Sequence, residues 1–146
     1  MALSMLLNAA EGETKKQLLT GLGLDKFSED GVVEHFNSEY IEVLKKLRST
    51  KKFKLEVANR AYVAKKTSEK FDKDLDLVFG SKPALVNFKE EPEETRQMIN
   101  QFVANKTHGK IQNLLAKDIL RPSTAFVIIS ALYFEGVNIL FRYKLI

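Results

Sequence analysis

The sequence predicts an α+β domain in which several helices pack on part of a large central β-sheet. Three patterns predict it. Residues 126–134, Phe126-Val127-Ile128-Ile129-Ser130-Ala131-Leu132-Tyr133-Phe134, form a nearly unbroken apolar run, the signature of a strand covered on both faces. Phe53, Leu55, Val57, Asn59, Ala61 and Val63 recur with the period of two that marks a strand. Val33, Phe36, Tyr40, Val43, Leu44 and Leu47 recur instead at helical spacing and form one apolar stripe. A doubly covered strand needs neighbours on both edges and a layer on each side. Only a short stretch follows Phe134, so the expectation is part of a larger fold.

Taken in order, the first helix is expected up to Ala10. It is apolar on nearly all sides and therefore central. Glu11-Gly12-Glu13 ends it, and Thr14 with Gln17 forms a capping-box pattern that starts a second helix through Leu19. Gly21 and Gly23 break that helix, and Ser28-Glu29-Asp30-Gly31 is a turn. The third helix spans residues 32–47. A basic connector leads into the strand over residues 53–63. A helix over residues 68–79 buries Phe71, Leu75, Val78 and Phe79, and a brief strand follows over residues 85–88. Pro92 suits the first position of the next helix, whose positive end Glu93 and Glu94 favour. Met98, Ile99, Phe102 and Val103 form the inner face of that helix, which Gly109 stops. Residues 111–115 read as a short helical turn before the last strand.

Composition excludes several functions. Lys and Arg outnumber Asp and Glu by 23 to 19, a mild excess that permits weak attraction to polyanions and requires none. There is no cysteine, hence no disulfide or thiol chemistry. His35 and His108 are far apart and lack acidic partners at metal-site spacing, so no metal is expected. His35 reads as a helix-face residue and His108 as a helix cap. The glycines match neither phosphate-binding fingerprint, and no nucleophile elbow surrounds Ser4. No catalytic residue and no cofactor is therefore expected. The apolar runs are too short for a membrane span, and no recognition helix or aromatic platform points to specific nucleic-acid reading.

Three local features remain. Lys45, Lys46, Arg48, Lys51, Lys52 and Lys54 read first as a solvated helix end, where cations are favoured. Their alternative is a polyanion-binding site for a glycosaminoglycan such as heparin. Asn105-Lys106-Thr107 fits the glycosylation pattern at an accessible helix end. Asn59, an amide inside an apolar strand, is either a buried hydrogen-bonding group or a polar residue of an edge strand.

Several stretches together resemble the serpin family. Ala2-Leu3-Ser4-Met5-Leu6-Leu7-Asn8-Ala9-Ala10-Glu11-Gly12-Glu13-Thr14 resembles its helix B and the turn into helix C. Val57-Ala58-Asn59-Arg60-Ala61-Tyr62 resembles the second strand of its sheet A. Ile99-Asn100-Gln101-Phe102-Val103-Ala104-Asn105-Lys106-Thr107-His108-Gly109-Lys110-Ile111 resembles the end of helix F and the segment after it. Ser130-Ala131-Leu132-Tyr133-Phe134-Glu135-Gly136 resembles the end of strand 3 of sheet A.

The resemblance implies an incomplete serpin fold over residues 1–146, lacking helix A and the C-terminal portion with the reactive-centre loop. In such a fold the cleaved loop inserts into sheet A and inactivates a serine or cysteine protease, a strain-driven switch. It implies a shutter, or sheet-opening region, at Ser4, Asn59 and Ser130, and a helix F clamp at Met98, Ile99, Phe102 and Val103. This chain carries Ser130 where the family usually has Asn, Phe102 where it has Trp, and Asn138 in place of the breach Trp. The expected function is that of a serpin fragment or short form, not inhibitory by itself, from an extracellular protein rather than a cytoplasmic one. The alternatives are a non-inhibitory serpin-like protein that self-associates or pairs strands with another chain, and a polyanion-binding module.

Overall fold

The structure, a computed structural model, describes residues 2–27, 31–49 and 53–136. Of the expectations above, those on residues 28–30, on Lys51, Lys52 and Asn138, and on the side chain of Arg48 lie outside these residues.

Helix α1 spans Ala2–Ala9, with Ser4, Met5 and Leu7 buried. Its central placement holds for those three, but Leu3 is exposed. Helix α2 spans Gly12–Gly21 and is capped by Glu11 without a side-chain hydrogen bond. The capping box expected at Thr14 and Gln17 is thus not the start of this helix, because the backbone enters it two residues earlier, at a glycine with φ 55°. Helix α3 spans Val32–Ser49. Only the first part of its apolar stripe is covered: Val33 is buried, Tyr40 and Ile41 pack on the core, and Val43 and Leu47 are exposed.

Strand β1 spans Phe53–Val63, as its alternation predicts. Helix α4, Glu69–Phe79, begins at Ser68, whose hydroxyl accepts from the Phe71 amide, and ends at Gly80 in the left-handed conformation that glycine adopts freely. Phe71, Leu75, Val78 and Phe79 are all buried. Strand β2 is only Ala84–Leu85, parallel to β1. Helix α5, Pro92–Lys106, starts with Pro92 in its first turn. The expected helical turn at residues 111–115 is absent: that stretch is irregular, held by side chains of α5 rather than by its own backbone. Strand β3 spans Phe126–Gly136.

The three strands form one sheet in the order β2-β1-β3, with β1 and β3 antiparallel along their whole length, Phe53 opposite Gly136 and Val63 opposite Phe126. Because side chains alternate across a sheet, two cores result. On one face Ala58, Tyr62, Ile129 and Ala131 pack beneath Ile99 and Val103 of α5. On the other, Ala61 meets Met5 of α1 and Phe71, Leu75 and Phe79 of α4, with Tyr40 of α3 at its rim.

Residues 126–134 lack full cover among the described residues, as expected of part of a larger fold. Among the described residues β3 pairs only with β1, and Leu132 and Phe134 are 50% and 59% exposed. The apolar run records what the strand is suited to meet, and α1 and α4 reach only its first half.

Candidate functional site

Asn59 and Ser130 are register partners on β1 and β3, on the sheet face away from α5. Asn59 is 3% exposed. Its Oδ1 accepts from Ser130 Oγ at 2.9 Å, and its Nδ2 donates to the Tyr40 hydroxyl of α3 at 3.2 Å. The Tyr40 ring lies 5.4 Å from that of Phe79. A polar chain Tyr40–Asn59–Ser130 therefore crosses from a helix through β1 to β3, inside an otherwise apolar layer. Of the two readings of Asn59, the buried hydrogen-bonding group is the observed one, and it satisfies the requirement that a buried amide find partners. Ser4 is also buried, but on α1, where its carbonyl accepts from Asn8 Nδ2 at 2.8 Å. It is not a member of the chain through Asn59.

Helix α5 lies across the opposite face. Ile99 and Val103 are fully buried and Phe102 is half-buried, with the Arg60 guanidinium 5.2 Å from its ring centre. Met98, expected on this inner face, is 50% exposed, which corrects the clamp. The buried face is centred on Thr95, Ile99 and Val103, one residue per helical turn. Met98 lies about 100° round the helix from Ile99, on the side of an open groove that it lines together with Leu85 and Val86.

Asn100, on the other flank, is buried because the chain after α5 folds over it. Asn100 Nδ2 donates to the Leu115 carbonyl at 3.0 Å and the Leu115 amide donates to Asn100 Oδ1 at 2.8 Å. Arg96 adds a bond to the same carbonyl at 2.9 Å and a forked ion pair to Glu93. That pairing, with a bond from Gln97, pulls the Glu93 carboxyl down to about 2. Asn100 and Arg96 were not singled out in the sequence. The available signal was an amide beside the apolar stripe of α5.

At the end of α5 the cap is Thr107, not His108. Thr107 is buried, its hydroxyl donating to the Val103 carbonyl at 2.8 Å and accepting from the Ile111 amide at 3.1 Å. His108 follows with a left-handed φ of 51° and reaches the far end of the sheet. Its Nε2 lies 2.9 Å from Glu56 Oε1 and 3.1 Å from Lys54 Nζ, and its ring centre 4.6 Å from that of Tyr133. Asn105 is exposed and accepts from Gln101 Nε2 at 2.8 Å. In the glycosylation pattern the asparagine is thus accessible while the threonine is occupied in the cap.

Of the basic cluster, Lys45 and Lys46 are exposed on α3, with Lys46 3.8 Å from Glu42. Lys54 is on β1 and pairs with Glu56 at 3.0 Å, which raises the Lys54 pKa through that hydrogen bond and lowers that of Glu56. His35 is exposed on α3, as expected of a helix-face residue. Among the described residues no cluster of three His, Cys, Asp or Glu could hold a metal, and no helix is long and apolar enough to cross a membrane.

The arrangement contains no nucleophile paired with a base. What it offers chemically is a hydrogen-bonded seam between two strands with a helix laid over the other face. Known proteins resemble the chain in sequence and in fold. The family model described as serpin (serine protease inhibitor) matches residues 1–138. Serpin B11 of Mus musculus is 33% identical over 148 residues, which cover 92% of this chain and 38% of that protein. Serpin B10 of Plecturocebus moloch is 34% identical over 130 residues, covering 88% and 32%. Antithrombin-III of Mus musculus is 31% identical over 139 residues, covering 93% and 30%. The chain thus spans about a third of the length of these curated relatives. Among solved structures, emu ovalbumin superposes with a TM-score of 0.81 at 22% identity, over 92% of this chain and 38% of that one. Arabidopsis AtSerpin1 in its native stressed conformation gives 0.77 at 24% identity, over 92% and 34%. At those identities the structural likeness concerns the fold.

Proposed function

This chain belongs to the serpin family, and from that premise we propose that its 146 residues form the sheet-opening portion of a serine protease inhibitor and do not inhibit by themselves. The family consists of protease inhibitors rather than enzymes. Within that reading β3 is the strand that borders the place where a loop enters, α5 is the helix that must yield, and the Asn59–Ser130 bond ties β3 back to β1. The observation that carries the reading is that bond, in register and made by a buried Asn59, on the sheet face opposite the one that α5 covers.

Loop insertion needs a segment that acylates the protease and then becomes a strand, and none of the elements α1 to β3 is such a segment. The test is incubation of the 146-residue polypeptide with trypsin-like and chymotrypsin-like proteases. The expected result is cleavage or indifference. An adduct that survives SDS would overturn the claim that these residues do not inhibit alone.

A second reading has its own observation. Among the described residues the outer edge of β3 pairs with no strand, and Leu132 and Phe134 stand exposed beside it. Such an edge is a template for another strand, so the polypeptide self-associates through β3. Light scattering after size exclusion should then give more than one chain per particle, and Leu132→Lys with Phe134→Lys should return a monomer. A monomeric parent protein excludes this reading.

A further inference from the structure

Glu56, Lys54 and His108 form a closed triangle on the sheet face beneath α5. Lys54 Nζ to Glu56 Oε1 is 3.0 Å, Oε1 to His108 Nε2 is 2.9 Å, and Nε2 to Nζ is 3.1 Å. An imidazole nitrogen carries either a proton or a lone pair. With a proton, Nε2 donates to the carboxylate and turns a donor towards the ammonium, with like charge as well when the ring is an imidazolium. With a lone pair, it accepts from the ammonium and faces the carboxylate oxygen with none to give. Both contacts cannot be favourable in one protonation state, so the state of the ring selects the partner.

We propose that His108 is a pH-dependent clasp that ties the end of α5 to the end of the sheet, held by Lys54 when the ring is neutral and by Glu56, more tightly, when it is protonated. The charges that face the ring support the direction. From β1 come Lys54 and Glu56. From β3 comes Tyr133, whose hydroxyl donates to Glu135 Oε2 at 3.1 Å. Lys106 and Lys110 are the cations of its own segment. Lys54 and Glu135 are register partners, as are Glu56 and Tyr133. One cation and two carboxylates on the strands leave a net negative group that a protonated imidazole neutralises. The Tyr133 ring, 4.6 Å away, gives an imidazolium a π-face as well. A bond between two charged groups is the stronger kind, so the clasp closes in acid.

The clasp does not depend on the protease reading. If that reading also holds, acid makes α5 slower to leave the sheet. The test therefore uses the ring itself and the helix end, not inhibition. Nitrogen-15 spectra of the 146-residue chain would be recorded at about pH 8.5 and about pH 5, on either side of the range in which imidazoles titrate. At the higher pH the neutral ring is expected to carry its proton on Nδ1, leaving Nε2 as acceptor. Lys54→Met should return the proton to Nε2.

At the lower pH amide exchange at Thr107 and Gly109, corrected for intrinsic rate, should slow about threefold. Glu56→Gln should abolish that slowing while leaving the chain folded, and His108→Gln should show no dependence at all. A neutral ring with its proton on Nε2 in the parent chain overturns the exchange of partners. Protection at the end of α5 that is the same at both pH values overturns the clasp.

Discussion

Asn59 and Ser130 face one another across β1 and β3, and the Ser130 hydroxyl donates to Asn59 Oδ1 at 2.9 Å while Asn59 Nδ2 donates to Tyr40. One amide therefore links both strands and a helix. Removing it takes one hydrogen bond from each of two hydroxyls, whereas removing Ser130 takes one from the Asn59 carbonyl oxygen alone.

The two substitutions should therefore differ in size. Asn59→Ala should cost about 1–3 kcal/mol, two net hydrogen bonds lost together, and Ser130→Ala about 0.5–1.5 kcal/mol, the worth of one. Urea unfolding of the three chains measures both. Equal costs would mean that Asn59 is held by Ser130 alone. Ser130→Asn, which brings in the amide usual in the family, should raise stability, because residue 130 is exposed enough to take the larger side chain.

The end of α5 depends on one hydroxyl. Thr107 Oγ1 donates to Val103 O and accepts from Ile111 N, both in a buried setting. Thr107→Val keeps the volume and removes both bonds, leaving the Ile111 amide without its acceptor. The expected loss is about 1–3 kcal/mol, with faster amide exchange at Ile111. Unchanged exchange there would mean that solvent already serves that amide.

The pH dependence near α5 follows from Glu93. Its folded pKa of about 2, lowered first by the hydrogen bond from Arg96 and then by that from Gln97, lies below the unfolded carboxylate value of about 4.3. A depressed pKa contributes stability that is present above the unfolded value and lost as pH falls through the folded one. Between about pH 4.3 and pH 2 the urea midpoint of the parent chain should therefore fall more steeply than that of Glu93→Gln. Parallel slopes would mean that the pair is open in solution.

Where the sequence was legible, local periodicity and burial agreed. Phe71, Leu75, Val78 and Phe79 lie on one helical face and are all buried, and β1 begins and ends where its alternation does. Asn59 was visible as an amide in an apolar strand, but Tyr40, its partner from α3, read only as one more member of a stripe. No periodicity marks which stripe residue carries the hydroxyl that meets an amide nineteen positions away. Leu132 and Phe134 stand exposed for a related reason: an apolar pattern states what a strand can bury, while cover depends on which elements reach it. Thr107 was hidden because its neighbours suggested glycosylation, and its cap needs the later amide of Ile111.

Helix α5 gives the sharpest contrast, because Met98 and Ile99 are adjacent in sequence and opposite in environment. Ile99 is fully buried above Tyr62 and Ala58, and Met98 is half in solvent. Ile99→Ala should therefore cost about 2–5 kcal/mol, a transfer loss plus the cavity left under a helix that cannot collapse onto the sheet. Met98→Ala should cost only what an exposed side chain contributes, within about 0.5 kcal/mol. The pair also separates stability from grip. Met98→Lys places a charge where solvent already is, so the helix should keep its seat and its amide protection. Ile99→Lys would drive an ammonium between α5 and Tyr62, and should free the helix with the β1–β3 pairing still formed, as read by strand amides that stay protected while those of α5 exchange. Loss of both together would show that α5 and the two strands unfold as one unit.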